Sequence, residues 1–370
     1  MRPAPFLLER YYAKYEFTVE HMLSSSDCES HSIHEILAMA PGSQQALLDL
    51  RLGYTETPGH PELRGAIASL YDGVSPDEIV VHAGAEEAIL TFMAATLDSG
   101  DHVIVHTPAY QSLLELPRSM GCRVTEWKAR SETGWRLDMG ELERLAAGPT
   151  KLIVLNTPHN PTGWLMDRAD FARIVSFTRR RGILLFSDEV YRFLEHHEPD
   201  RLPAAVEAGP HAISLGVMSK SFGLPGLRIG WLVVRDPGLR ERILSMKDYT
   251  TICASAPSEL IASIAIRNRE TILDRNRRIA LGNLHLLDDF FSRHASRFEW
   301  IRPRAGVIAF PRVLDGKAEL LCQSAASEAN VLLLPGSVYG DEWRDHVRIG
   351  FGRRTMNLAL KHLDELLAKD

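Results

Sequence analysis

Two short apolar runs, Lys151-Leu152-Ile153-Val154-Leu155-Asn156 and Ile183-Leu184-Leu185-Phe186-Ser187, enclose a segment patterned as a helix, and this constrains the fold more than any other feature. Runs without polar alternation belong to strands buried on both faces, the usual condition of strands in a parallel sheet. The intervening segment, 167–181, opens at Asp167 and ends in three arginines followed by Gly182, the charge and glycine pattern of a helix start and stop. The same alternation extends from about residue 61 to 235. Helices are expected over 61–71 and 85–97, and strands over 78–82, 102–106, 212–216 and 229–234. Such a chain folds as an α/β protein, a largely parallel sheet with helices on both faces.

The C-terminal part has a different texture. Helical spacing runs without a break from Ser258 to His294, short strand-like pieces follow at 298–301, 307–310, 331–334 and 347–351, and residues 355–368 close as a helix. This predicts a large domain over 41–257, a smaller α+β domain over 258–370, and an N-terminal segment, 1–40, that packs with the smaller domain. A chain of 370 residues is long enough for both cores. A net charge of −6 gives no reason to expect nucleic acid or an anionic membrane as partner. No apolar run approaches the roughly 20 residues of a membrane span. The opening residues lead into charged ones rather than the apolar core of a secretory signal, so a cytoplasmic location is expected. The cysteines, Cys28, Cys122, Cys253 and Cys322, are scattered without a CxxC pair, and the adjacent His196 and His197 point apart; neither pattern predicts a metal site.

Ligands of open α/β sheets bind at the carboxyl ends of strands, and several chemically capable residues are expected there. Lys220 lies between Ser219 and Ser221 in a loop rich in Gly and Pro, with Arg228 eight residues on. A lysine on such a loop can form an imine with an aldehyde, and the arginine can grip a phosphate. Pyridoxal 5′-phosphate (PLP) carries both groups. Asp188, at the end of a central strand, can pair with a protonated pyridine nitrogen; for an isolated aspartate a turn cap is the plainer reading. Tyr191 and Asn160, in the turn Asn160-Pro161-Thr162-Gly163, can reach the cofactor's 3-oxygen. The backbone of Gly84, Ala85 and Glu86 opens a helix and can bind an anion, although small residues are common at such turns. Tyr110 can lie on the ring or simply belong to the core. Lys247 is the rival lysine, but its helical, charged surroundings predict an exposed side chain.

Taken in order, Tyr54…Gly59, Gly84-Ala85, Pro108-Ala109-Tyr110, Asn160-Pro161-Thr162-Gly163, Asp188-Glu189-Val190-Tyr191, Ser219-Lys220 with Arg228, and Val347-Arg348-Ile349 resemble the class I/II aminotransferases, PLP-dependent transferases of fold type I. The resemblance runs from about Tyr54 to the C-terminus. It implies that Lys220 bonds to PLP and then moves the substrate proton, and that Ser219 helps to hold the phosphate. It implies that Tyr54 reaches the phosphate of a neighbouring subunit, hence a homodimer with shared sites, and that Arg348 binds the substrate α-carboxylate. The reaction implied exchanges an amino group between an amino acid and a 2-oxo acid by a ping-pong mechanism.

Three positions depart from the family pattern. Leu23-Ser24-Ser25-Ser26-Asp27-Cys28-Glu29-Ser30 stands where relatives carry Gly-x-Pro; Asp27 and Glu29 can meet a cationic or polar substrate side chain, or can belong to an ordinary polar loop. Val217 replaces a phosphate-binding serine. Gly350 replaces a serine, a change expected to be minor. The Ser24–Asp27 run, Lys247-Asp248-Tyr249 and residues 303–312 are also similar to the branch that contains capreomycidine synthase, which implies a PLP lyase or cyclase as the alternative. A PLP-binding regulator would need a DNA-binding domain that residues before Tyr54 do not offer, and a nucleotide-binding reading lacks GxGxxG and GxxxxGK[ST].

Overall fold

The computed structural model describes residues 2–369. Seven strands form the main sheet: β1 (Ile79–His82), β2 (His102–Thr107), β3 (Arg123–Lys128), β4 (Leu152–Asn156), β5 (Leu184–Asp188), β6 (Ala212–Val217) and β7 (Gly230–Val233). Their spatial order is β1-β7-β6-β5-β4-β2-β3. Pairings from β3 through β6 are parallel, whereas β7 runs antiparallel to both β6 and β1. Two antiparallel steps restore direction, so β1 points the same way as β4, β5 and β6. The carboxyl ends of β1, β2, β4, β5 and β6 and the amino end of β7 therefore share one edge.

The strands of the apolar runs are buried along most of their length, in keeping with helices on both faces. Edge strand β3 (Arg-Val-Thr-Glu-Trp-Lys) escapes the apolar criterion because most of it keeps contact with solvent, as polar edge strands do. The helix Arg168–Arg181 ends at Gly182 in the left-handed region, φ 65°. Asp167 precedes it but makes no side-chain cap; its carboxylate accepts from Arg304 at 3.0 Å.

The unbroken helix expected from Ser258 to His294 is two helices, Ala256–Arg267 and Arg269–Arg293. They break at Asn268, whose side-chain amide donates to the Ile264 carbonyl at 2.9 Å, competing with continuation of the helix. The C-terminal region adds β8 (Phe298–Glu299), β9 (Ile308–Ala309), β10 (Arg312–Val313), β11 (Leu334–Pro335) and β12 (Val347–Gly350). β8 pairs with β10, and β12 lies between β11 and β9; all these pairings are antiparallel.

The N-terminal segment touches both parts of the molecule. Its helix Leu7–Tyr15 lies over the main-sheet region, where the Leu7 N–H donates to Gln111 and the Phe6 ring sits 5.1 Å from that of Tyr110. Farther on, His21 bridges to Val331, and Gly350 donates its N–H to the Leu23 carbonyl at 2.6 Å. Gly350 is more than a minor change. A β-carbon there would collide with the Ser25 carbonyl, and one on Gly352 would strike the Asp27 backbone. Two missing side chains allow residues 23–28 to lie against the end of β12. Among the described residues no helix is long and apolar enough to cross a membrane.

Candidate active site

The shared edge of the sheet opens into a cleft of about 410 Å³, lined by Ala85, Glu86, Tyr110, Asn160, Asp188, Ser219, Lys220, Arg228 and Arg348 and, from the N-terminal segment, by Glu9, Tyr12, Ser26 and Asp27. These groups come together from positions more than 300 residues apart.

At one end, the helix Ala85–Thr96 begins at Gly84, whose φ of 95° disfavours any side chain. A β-carbon on Gly84 would come within 2.5 Å of the Arg228 guanidinium, and one on Gly230 within 2.6 Å of the Gly84 backbone. The first N–H groups of the helix and the guanidinium thus face one place, an arrangement suited to an anion. Arg228, itself left-handed at φ 52°, donates to the Pro225 carbonyl at 3.1 Å, and among the described residues no carboxylate forms an ion pair with it. Glu86 is exposed to the cleft and accepts a hydrogen bond from Ser112 at 3.0 Å. Val217, where a serine was expected from the family pattern, lines the same cleft.

In the middle of the edge, Asn156 and Asp188 are register partners at the ends of β4 and β5. The Asn156 side chain donates to the Asp188 carbonyl at 2.9 Å and accepts from the Asn160 N–H at 2.7 Å, so one amide ties the Asn160 turn to the end of β5. Among the described residues the Asp188 carboxylate accepts only from the Val190 N–H, at 3.2 Å. Burial pushes it up to about 7, with the Val190 N–H and Lys220 opposing. Lys220 donates to the Ser26 hydroxyl at 2.7 Å. Its pKa is lowered, chiefly by desolvation, against the pull of Asp27 and Asp188.

At the far end, Arg348 is 1% exposed. Its guanidinium donates to the Tyr339 hydroxyl (2.7 Å), the Tyr12 hydroxyl (2.8 Å) and the Ser24 carbonyl (2.9 Å), while Nε is buried without a partner. Among the described residues it has no carboxylate partner. A buried cation held only by neutral oxygens is costly unless an anion arrives to join it.

Several expected site residues have different partners from those the sequence predicts. Tyr191 is fully buried, and its hydroxyl donates to the Ser26 carbonyl at 2.7 Å. The Asn160 side-chain oxygen (Oδ1) accepts from Tyr339 and Arg348, leaving its side-chain Nδ2 N–H groups without protein partners among the described residues. Asp27 lines the cleft, but both its oxygens accept from Arg353 at 3.0 Å. Tyr54 is 89% exposed and lies outside the cleft of its own chain. Lys247, expected to be exposed, is completely buried. It donates to the Thr57 and Ile252 carbonyls, so its charge is satisfied by backbone oxygens of two loops. Ser26 was marked by sequence only as part of the run that departs from the family pattern, and Tyr12, Asn156, Tyr339 and Arg353 were not singled out. Of these four only Asn156 carries a signal that would have found it, its strand-end position matching that of Asp188.

The model of the family described as aminotransferase class I and II matches residues 23–368. The chain belongs to the class I and II aminotransferases. Capreomycidine synthase of Streptomyces vinaceus is 30% identical, over 94% of this chain and 87% of that protein. An aspartate aminotransferase of Pyrococcus abyssi is 26% identical, over 84% and 82%. In three dimensions the chain is similar to a PLP-dependent aminotransferase from Streptococcus suis, with a TM-score of 0.93, 31% identity and coverage of 100% and 99%. It is also similar to the PLP-dependent cyclase OrfR, with a TM-score of 0.92, 28% identity and coverage of 100% and 98%. Three features of the cleft fit PLP: an anion cradle with an unneutralised arginine, a desolvated amine, and a buried carboxyl that a cationic ring nitrogen would ionise.

Proposed function

We propose that this protein is a PLP-dependent aminotransferase that moves an amino group from an L-amino acid to a 2-oxo acid in two half-reactions. The observation that carries the reading is that one cleft contains both a desolvated amine, Lys220, and a buried guanidinium, Arg348, held only by neutral oxygens. An amino acid needs both, one group to handle its Cα proton and one to clamp its α-carboxylate.

PLP supplies an electron-poor ring that accepts the electron pair of the substrate's Cα–H bond. Lys220 would hold the cofactor through its aldehyde carbon, and its freed amine would take the substrate Cα proton at Nζ and deliver it to the cofactor carbon that receives the amino group. Asp188 would pair with the ring nitrogen and keep it protonated. Ser219, Arg228 and the Gly84-Ala85-Glu86 backbone would hold the phosphate, Asn160 would meet the ring's 3-oxygen together with Tyr191 once its hydroxyl leaves the Ser26 carbonyl, and Tyr110 would cover the ring face. Arg348 orients the substrate through a two-point contact with its carboxylate. Asp27, already paired with Arg353, shapes the side-chain end of the cleft. Exposed Tyr54, with Leu48 and Leu52, fits the reading that a second copy of the chain covers this face and receives the tyrosine at its own phosphate site.

A PLP lyase or cyclase is the second reading. It is favoured by the similarity to capreomycidine synthase and OrfR, since one cofactor site serves several bond cleavages.

Protein loaded with PLP is expected to be yellow, and Lys220→Ala to lose both colour and turnover. Initial rates with varied amino acid and oxo acid should give parallel double-reciprocal lines. A Lys220→Ala protein with the wild-type visible spectrum contradicts the role of the lysine, and intersecting lines contradict two half-reactions in one site.

A further inference from the structure

The segment 23–28 is held by specific contacts from several elements. Gly350 donates to the Leu23 carbonyl, Arg348 and Tyr12 both donate to the Ser24 carbonyl, and Tyr191 donates to the Ser26 carbonyl. Gly350 and Gly352 leave room for its backbone, and Arg353 clamps Asp27. These contacts fix the backbone on both sides of Ser26, and Tyr191 holds the Ser26 carbonyl itself. Its side chain is the single hydrogen-bond partner of Lys220 Nζ among the described residues, at 2.7 Å.

We propose that Ser26 is a positioning residue for Lys220: its hydroxyl, delivered by the fixed N-terminal segment, holds the lysine amine in the cleft whenever that amine is not bonded to cofactor. This inference rests on the proposed role of Lys220. A hydroxyl suits the task because it is both donor and acceptor. It accepts from the ammonium form of the lysine and donates to the neutral amine, so it orients Nζ in both states. A carboxylate at the same distance would favour the ammonium and oppose release of the neutral amine that must attack an aldehyde.

The charged and titratable groups around Lys220 come from four elements: Glu9 on the N-terminal helix, Asp27 and Cys28 on the fixed segment, Asp188 on β5 and Arg348 on β12. None of them is changed by truncating Ser26, so the hydroxyl can be tested separately from its electrostatic surroundings.

The experiment uses the full chain free of cofactor. Lys220 is trapped at a series of pH values by adding PLP and reducing with borohydride, and its modification is quantified by peptide mass spectrometry. The bond from the ammonium is charge-assisted and stronger than the one to the neutral amine, so its loss in Ser26→Ala should move the pH midpoint of trapping down by about one unit, equivalent to roughly tenfold in the ionisation constant. Ser26→Thr, which keeps the hydroxyl, should restore the wild-type midpoint. With saturating amino acid, Ser26→Ala should lower kcat roughly tenfold with little change in KM. Identical midpoints for wild type and Ser26→Ala overturn the inference while leaving the role of Lys220 intact. Failure of wild-type Lys220 to be trapped at any pH instead rejects the proposed function on which it rests. If Ser26→Thr behaves like Ser26→Ala, the hydroxyl is not the operative group and the inference also fails.

Discussion

The Arg228 guanidinium stands where a β-carbon on Gly84 would be, a separation of 2.5 Å between the arginine nitrogen and the missing atom. The contact exists because β1 and β6 run in the same direction while antiparallel β7 lies between them, bringing the residues after β1 beside those before β7. Gly84→Ala should therefore both strain a backbone at φ 95° and push the guanidinium aside. The expected cost is about 1–3 kcal/mol of stability, with weaker PLP binding. Thermal denaturation and a cofactor titration by absorbance check the two effects.

Arg348→Lys is not conservative at this site. Lysine cannot reproduce the planar fork that meets Tyr339, Tyr12, the Ser24 carbonyl and a substrate carboxylate together. A fall in kcat/KM of roughly 10²–10³-fold is expected, carried mainly by KM, with the colour of the loaded protein retained. Steady-state kinetics at several amino acid concentrations decide it; an unchanged KM contradicts the carboxylate clamp.

Asp188 offers a test of opposed roles in stability and function. Its folded pKa of about 7 lies above an unfolded value of about 3.9, so the folded protein binds this proton more tightly. The associated stability is complete below about pH 4 and is lost as pH rises through 7. Without cofactor, Asp188→Asn should thus melt higher than wild type at pH 8, by roughly 2–4 °C, and the gap should close toward pH 4. Turnover should fall by roughly 10²–10³-fold in the same variant. A melting difference independent of pH contradicts the buried, proton-binding carboxyl.

Gly350→Ala tests the seating of the N-terminal segment. The added methyl meets the Ser25 carbonyl, and relief requires residues 23–28 to lift from β12. Such overpacking costs about 1–3 kcal/mol, and because the segment carries Ser26, the loss of kcat should at least equal that of Ser26→Ala. Retention of full turnover would mean that the segment does not need this close approach.

Much of this arrangement is legible in the sequence because it depends on local patterns. The runs at 151–156 and 183–187 announce buried strands, and a strand end followed by Asp188, Ser219-Lys220 or Asn160 places chemistry at one edge. The remainder depends on tertiary contacts that spacing does not encode. Tyr12 and Tyr339 meet Arg348 from elements 336 and 9 residues away in sequence. Lys247 lies in a charged helical segment yet is buried, because carbonyls of Thr57 and Ile252 solvate it in place of water. Gly350 reads as a small substitution until the Ser25 backbone is seen against it. The break at Asn268 is hidden because the apolar periodicity continues across it.

Lys220 and Arg348 are proposed to serve transamination. That role is tested most directly by mixing PLP-loaded protein with one amino acid at a time, without any oxo acid, and following the visible absorbance and the released products. A productive amino acid should bleach the yellow colour and release one equivalent of its 2-oxo acid per active site, and a second oxo acid should restore the colour. Release of ammonia or a ring-closed product through many turnovers, with the colour undiminished, would contradict that role.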